Sequence, residues 1–312
     1  MNMKRRVPLC TACAERNDHM QVETCFCPKT LDGAAELLSC SDGKVRICAG
    51  GTDLFVMMRK GKADAKYLMD LSDLSLDYIR KNPDGTISVG AMATLTQVAE
   101  SELLAAPAYN ALTCAAAHVG SVQIRNAATL VGNICTGITS ADTCVALLVL
   151  DTRVVAYSVR GSRTIPIKDF FVSNRKLALE PDELVTEIIL PVCDDGCVSR
   201  FRKVGTRKEL LISVLNIAAL TEKAADGSFP LVRLAMGVVA PIPIRLPKTE
   251  ACLTGKTLTD SEIETAVETM KTEISPRSSN HGSAEYRTLA AANLLRSFLR
   301  QARGDGGENN DN

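Results

Sequence analysis

The chain has 312 residues, 46% apolar and 23% charged, the balance of a soluble globular protein with length for two or three compact units. Basic and acidic residues stand at 36 each, so no global field draws the chain to nucleic acid or to an anionic membrane. Trp is absent and aromatics make up 4%, which argues against a stacking platform for single-stranded nucleic acid.

Residues 1–22 read as a polar, irregular extension. The basic start, Met1 to Arg6, is followed by no long apolar segment, so no secretory signal is indicated. No stretch approaches the ~20 apolar residues of a membrane span, and a cytoplasmic location is expected. The twelve cysteines are then mostly thiols, and those in apolar runs, such as Cys48 and Cys144, read as small core residues. Cys10-x-x-Cys13 and Cys25-x-Cys27 are crowded, but their spacing is not that of a standard zinc site, and no metal is expected there.

In chain order, the pattern predicts a capped amphipathic helix over 30–38, a buried strand over 45–49 running into Gly50-Gly51, and a helix over 52–59. Short strands follow over 66–71, 78–81 and 86–89, with a turn at Asn82-Pro83-Asp84-Gly85. Segments 95–104 and 108–118 read as helices, and 142–150 as an apolar helix. Strands 154–158 and 163–167 form a hairpin across Arg160-Gly161. Strand 184–190 is stopped by Pro191, and Cys193-Asp194-Asp195-Gly196-Cys197 marks a boundary. Beyond it, strands over 201–204, 214–223 and 231–239 and helices over 260–273 and 284–302 predict an α+β unit. The expected division is an extension over 1–22, one domain over 23–195, a second over 198–302, and a disordered tail over 303–312 with nothing to bury.

Two segments carry the chemistry. Ala49-Gly50-Gly51-Thr52-Asp53-Leu54 and, about eighty residues on, the stretch 129–142 are both rich in small and hydroxyl residues. Paired glycines let a backbone approach phosphate oxygens, so together they read as two walls of a site for a cofactor carrying a pyrophosphate. Neither is a Rossmann dinucleotide turn or a P-loop. Asp142 reads either as a ligand-hydroxyl acceptor or as a simple helix cap. Lys203 on its own reads as a solvated lysine on a sheet edge. Val119, Val185 and Ile212 on their own read as core.

The order and spacing of Gly50-Gly51-Thr52-Asp53, Gly90-Ala91 with Thr94, Gln123-Ile124-Arg125-Asn126, and Gly132-Asn133-Ile134 with Asp142 resemble the FAD-binding subunits of molybdenum hydroxylases, with their p-cresol methylhydroxylase-type flavin domain. Lys203 with Arg207 and Ile212, the run 233–245, and Pro276-Arg277-Ser278-Ser279 resemble the C-terminal part of bacterial xanthine dehydrogenase FAD subunits. The likeness spans about residues 25–302. It implies an α+β fold: a two-lobed flavin domain, then an antiparallel sheet with helices like the CO dehydrogenase flavoprotein C-terminal domain. The cofactor contacts it implies are Ile47, Cys48, Ala49, Gly50, Gly51, Thr52, Asp53, Leu54, Thr94, Val119, Thr129, Gly132, Asn133, Asp142, Val185, Lys203 and Ile212, with no catalytic side chain. Val131 departs from the family pattern, where glycine is usual. No histidine falls in these motifs, so FAD is expected to be held non-covalently. The resemblance further implies a molybdopterin-binding large subunit and a [2Fe–2S] small subunit as partners, with electrons leaving FAD for NAD⁺. It leaves open a heterocycle other than a purine, such as nicotinate, as the substrate of the complex. A non-catalytic flavin-binding scaffold is the remaining alternative.

Overall fold

The computed structural model describes residues 22–63, 66–205 and 213–305, with the backbone of residues 4–5. Cys10, Cys13, His19, Arg207 and Ile212 lie outside the described residues. The first sheet has the order β1-β2-β4-β3. Its strands are β1 (Lys4–Arg5), β2 (Thr24–Phe26), β3 (Val45–Cys48) and β4 (Tyr67–Asp70). β4 pairs in parallel with β2 and β3, as connections through helices require. Those helices are α1 (Leu31–Ser39), capped by Thr30, whose Oγ1 accepts from Gly33 N at 3.1 Å, and α2 (Leu54–Arg59).

A second, wholly antiparallel sheet runs β5-β6-β11-β7-β8. It comprises β5 (Ile79–Lys81), β6 (Ile87–Gly90), β7 (Arg153–Ser158), β8 (Gly161–Pro166) and β11 (Leu184–Leu190). Four helices lie in sequence between β6 and β7: α3 (Leu95–Glu100), α4 (Asn110–Ala117), α5 (Val122–Arg125) and α6 (Leu130–Cys135). A fifth, α7 (Asp142–Val149), precedes β7 and has every residue buried. A short helix α8 (Ile167–Phe170) and the hairpin β9 (Phe171–Ser173), β10 (Lys176–Leu177) fill the stretch before β11.

The C-terminal sheet is antiparallel in the order β12-β13-β14-β15. Its members are β12 (Cys197–Val204), β13 (Leu215–Glu222), β14 (Leu231–Gly237) and β15 (Ile244–Arg245). Side chains alternate across a strand, and β13 shows it. Ala218 and Leu220 join the large core that contains α7, whereas Leu215, Ile217 and Ala219 join a second core. Helices α9 (Pro247–Leu253), α10 (Asp260–Glu273) and α11 (Ala284–Arg303) cover that second face. α7 is apolar all round because it is sandwiched, packing on α4 and on β13 and β14.

Three expectations need correction. The stretch 129–142, for which the sequence predicts no element before 142, contains α6 over 130–135. The helix expected over 95–104 breaks at Ser101, whose backbone is extended, and a 3₁₀ turn, Glu102–Leu104, follows. The strand expected from 201 begins at Cys197, on the boundary itself. No helix among the described residues is long and apolar enough to cross a membrane.

Candidate functional site

β3 ends at Cys48, and the chain turns sharply through Gly50 and Gly51 into α2. Gly51 has φ +69°, a left-handed conformation that side chains resist. Gly50 is required for a different reason. A Cβ placed on it would stand 1.8 Å from the carbonyl oxygen of Ala127. The first segment therefore lies directly on the backbone that leads into Thr129. The two segments singled out from sequence form adjoining walls.

The N–H groups of Gly50, Gly51 and Thr52 have no acceptor among the described residues. Backbone N–H groups left open around a left-handed glycine form a nest suited to an anion. α2 has only six residues, so these N–H groups, rather than a long helix dipole, carry the attraction. Ile47, Phe55 and Ile124 beside these turns are partly exposed apolar side chains. The neighbouring Cys48 thiol is pushed up to about 11, first by burial and then by Asp70 and Cys25, so it stays protonated at neutral pH.

The second wall is built by caps. Thr129 forms an isolated antiparallel bridge with Thr94. Each caps a helix: Thr129 Oγ1 accepts from Gly132 N at 2.9 Å, and Thr94 shares a capping box with Gln97. Gly132 serves this cap, since a Cβ there would stand 2.8 Å from Thr129 Oγ1. Val131 points into the core, so glycine is not needed at that position. The amide oxygen of Asn133 accepts from Thr143 Oγ1 at 2.6 Å, which ties α6 to α7. Cys135 is pushed up to about 12 by burial and is no nucleophile.

Asp142 and Lys203 depart from their plain readings. Asp142 is not the cap of α7, because Ala141 holds that position and offers no side-chain bond. Lys203 is not a solvated edge lysine either. Its side chain is 8% exposed and its Nζ donates to Asp142 Oδ2 at 2.8 Å and to His118 O at 2.6 Å. Ser213 Oγ and Asn216 Nδ2 donate to Asp142 Oδ1 at 2.6 and 2.8 Å. One buried carboxylate thus gathers three donors from the C-terminal part of the chain.

Val119 is half-buried at the edge of the core, and its carbonyl accepts from Arg125 Nη1 at 3.2 Å. Val185 is a core residue of β11, paired with Ala156. Asp53 lies in helical backbone before α2, makes no cap bond, and faces Arg175 Nη1 at 3.7 Å. Arg175 was not signalled by sequence. It sits in the β9–β10 turn at φ +60°, and its N–H donates to Gly137 O at 2.8 Å. It therefore joins both walls. Thr139 was also silent: its Oγ1 accepts from Val238 N at 2.9 Å and donates to Ala240 O at 3.1 Å.

Residues 19–193 match the FAD binding domain in molybdopterin dehydrogenase, and residues 200–302 match the CO dehydrogenase flavoprotein C-terminal domain. The chain is 32% identical over 275 residues to the xanthine dehydrogenase FAD-binding subunit of Escherichia coli O157:H7, covering 88% of this chain and 93% of that one. It is 36% identical over 244 residues to the nicotinate dehydrogenase FAD-subunit of Eubacterium barkeri, covering 77% and 82%. The fold superimposes on carbon monoxide dehydrogenase from Hydrogenophaga pseudoflava with a TM-score of 0.85 at 26% identity, over 91% of this chain and 98% of that one. The chain belongs to the FAD-binding subunits of the molybdenum hydroxylases.

The α+β fold and the FAD cofactor follow from that membership. The residues fit the cofactor. Open N–H groups at Gly50–Thr52 suit a pyrophosphate, and partly exposed Ile47, Phe55 and Ile124 suit the flat faces of its rings. Cys25 and Cys27 are free thiols, and the described residues hold no group of three or more metal-ligating side chains.

Proposed function

We propose that this chain is the flavin-carrying electron-transfer subunit of a xanthine dehydrogenase-like complex, taking electrons from [2Fe–2S] clusters of a small subunit and delivering them to NAD⁺. The observation that carries the reading is the meeting of the two glycine-bearing walls at Gly50 and Ala127 beside the Lys203–Asp142 pair. Bound FAD supplies the conversion between one-electron carriers and a two-electron hydride acceptor. The chain supplies position. Gly50, Gly51 and Thr52 direct N–H donors at the pyrophosphate, joined by the Thr129 hydroxyl, whose proton is not used by its cap. Lys203 offers a cation held in place by a buried carboxylate. Val119, half-buried at the edge of the core, would offer an apolar contact to the ring system. Val185 adds to the apolar surround, and the family resemblance adds Ile212 as a contact. Cys48 and Cys135, the cysteines of the two walls, stay protonated at neutral pH, and FAD is held without a covalent bond. The protein works in the cytoplasm with a molybdopterin-binding large subunit, on which the substrate is hydroxylated.

Support for a purine substrate comes from the Escherichia coli relatives, which match over 88% of this chain. The Eubacterium barkeri relative favours nicotinate by identity, 36%, over a shorter match. The substrate pocket lies on another subunit, so assays of the reconstituted complex with hypoxanthine, xanthine and nicotinate decide between them. For the subunit itself, the test is stopped-flow reduction. The isolated chain is expected to be yellow, to release its FAD on acid denaturation, and to be reduced by NADH but not by xanthine. Rapid reduction by xanthine without partners, or flavin that stays with the denatured chain, overturns the reading.

A further inference from the structure

β13 is buried from Leu215 to Thr221, and its second residue, the polar Asn216, is fully buried. A buried amide is costly unless bonded. Its Nδ2 donates to Asp142 Oδ1 at 2.8 Å, while its Oδ1 has no partner among the described residues. The opposite residue on β14 is Gly237. A Cβ there would stand 2.2 Å from Asn216 Oδ1 and 2.6 Å from Thr139 O. Space for this amide is therefore built into the sheet. Ser213 adds a second neutral donor to the same carboxylate oxygen at 2.6 Å.

The consequence falls on Lys203. An ammonium has three N–H donors. One goes to Asp142 Oδ2 and one to the carbonyl of His118 at the end of α4. With both acceptors fixed, the third N–H has a set direction. Asp142 is fixed because Ser213 and Asn216 occupy its other oxygen. Without them the carboxylate can rotate, and Lys203 loses its aim.

We propose that Asn216 and Ser213 are positioning residues: they lock the Asp142 carboxylate so that Lys203 keeps one directed N–H for the FAD. This rests on the reading of Lys203 as a flavin contact. The pattern is that of a supporting layer behind a contact residue, with Gly237 as its space-maker.

The experiment uses the full chain, with apo-protein titrated by FAD and flavin fluorescence as the readout, well below the melting temperature. Asn216→Ala and Ser213→Ala are expected to weaken FAD binding about tenfold each and to shift the flavin absorption band. Asn216→Asp is expected to restore affinity at low pH, where the new carboxyl is protonated and donates to Asp142, and to lose it as the pH rises and two carboxylates face each other. Asp151→Asn serves as the structural control, since it loosens Arg233 and Arg245 at the other end of α7. It is expected to lower the melting temperature with FAD affinity unchanged. If Lys203→Ala leaves FAD affinity unchanged, the lysine is no flavin contact and the proposal falls with that reading. If Lys203→Ala weakens binding while Asn216→Ala behaves like Asp151→Asn, the positioning role alone is overturned.

Discussion

At the scale of single residues, three backbone positions carry most of the information. Gly51→Val would force a β-branched residue to φ +69° with its Cβ 2.4 Å from the Phe55 ring. The left-handed conformation costs about 1–2 kcal/mol, which a chain of this size survives. The open N–H nest does not survive it. FAD content of the purified variant is expected below a tenth of wild type, and stoichiometric FAD would remove this turn from the site. Gly50→Ala is the harsher change, because backbone rather than a mobile ring stands in the way. Val238 is the converse case, a β-branched residue already at φ +66°, held by the bond from its N–H to Thr139. Val238→Gly relieves that strain and loosens the unfolded chain, for a net gain of about 0.5–1 kcal/mol. A denaturant midpoint that falls instead would show that the valine side chain contributes more than its backbone strain removes. The glycine doublet was legible in the sequence because few other residues permit such a turn. Ser213 and Asn216 were not. They lie 71 and 74 residues from Asp142, and a serine or asparagine carries no sign of a partner that only the fold supplies.

At the scale of elements, legibility followed local signal strength. α10 was read to the residue because Thr259 and Glu262 form a capping box ahead of an amphipathic run. α6 was missed because Leu-Val-Gly-Asn-Ile-Cys holds glycine and β-branched residues, which are poor helix formers. Its cap and its burial hold it instead. The hairpin β7–β8 was legible from its turn, but its anchor was not. Glu183, before β11, has a side chain 3% exposed and accepts from Arg163 Nε and Nη2 at 2.6 and 2.7 Å and from Glu180 N at 2.8 Å. The bonds from Arg163 hold its carboxyl below the ordinary value of 4.5, against the opposing effect of burial. A depressed carboxylate stabilises the fold above its unfolded pKa, and that stability fades as pH falls through the folded one. Wild-type stability is therefore expected to fall below about pH 4.5 as Glu183 takes up a proton. Glu183→Gln should be less stable by about 1–3 kcal/mol at pH 7, with a flatter acid limb. Urea midpoints at pH 3.5, 5 and 7 measure it, and parallel limbs for the two proteins would refute the anchor.

At the scale of the whole molecule, two family matches meet at residues 193–200, yet the core does not divide there. Cys197, Phe201, Ala218, Leu220 and Ala235 belong to the same cluster as Val145, Leu147 and Val149 of α7. The C-terminal part also grips α7 at both ends. Lys203, Ser213 and Asn216 hold Asp142 at its start. At its finish, Arg245 donates to Leu148 O at 3.1 Å, Arg233 to Val149 O at 3.3 Å, and both pair with Asp151. Cations at a helix C-terminus are favourable, and here they come from the other half of the chain. Uncovering α7 would expose several Val and Leu side chains at about 1.5–3 kcal/mol each, a large share of the stability of an ordinary domain. Full-length protein is therefore expected to melt in one calorimetric transition, with calorimetric and van't Hoff enthalpies in agreement. A fragment ending at residue 195 is expected to be insoluble, or soluble without FAD, because both the cover of α7 and the lysine are gone. Two separated transitions, or a soluble fragment that titrates with FAD at wild-type affinity, would mean that the flavin walls stand without the C-terminal sheet. The assignment of Asp142 as the joint between the halves would then be wrong.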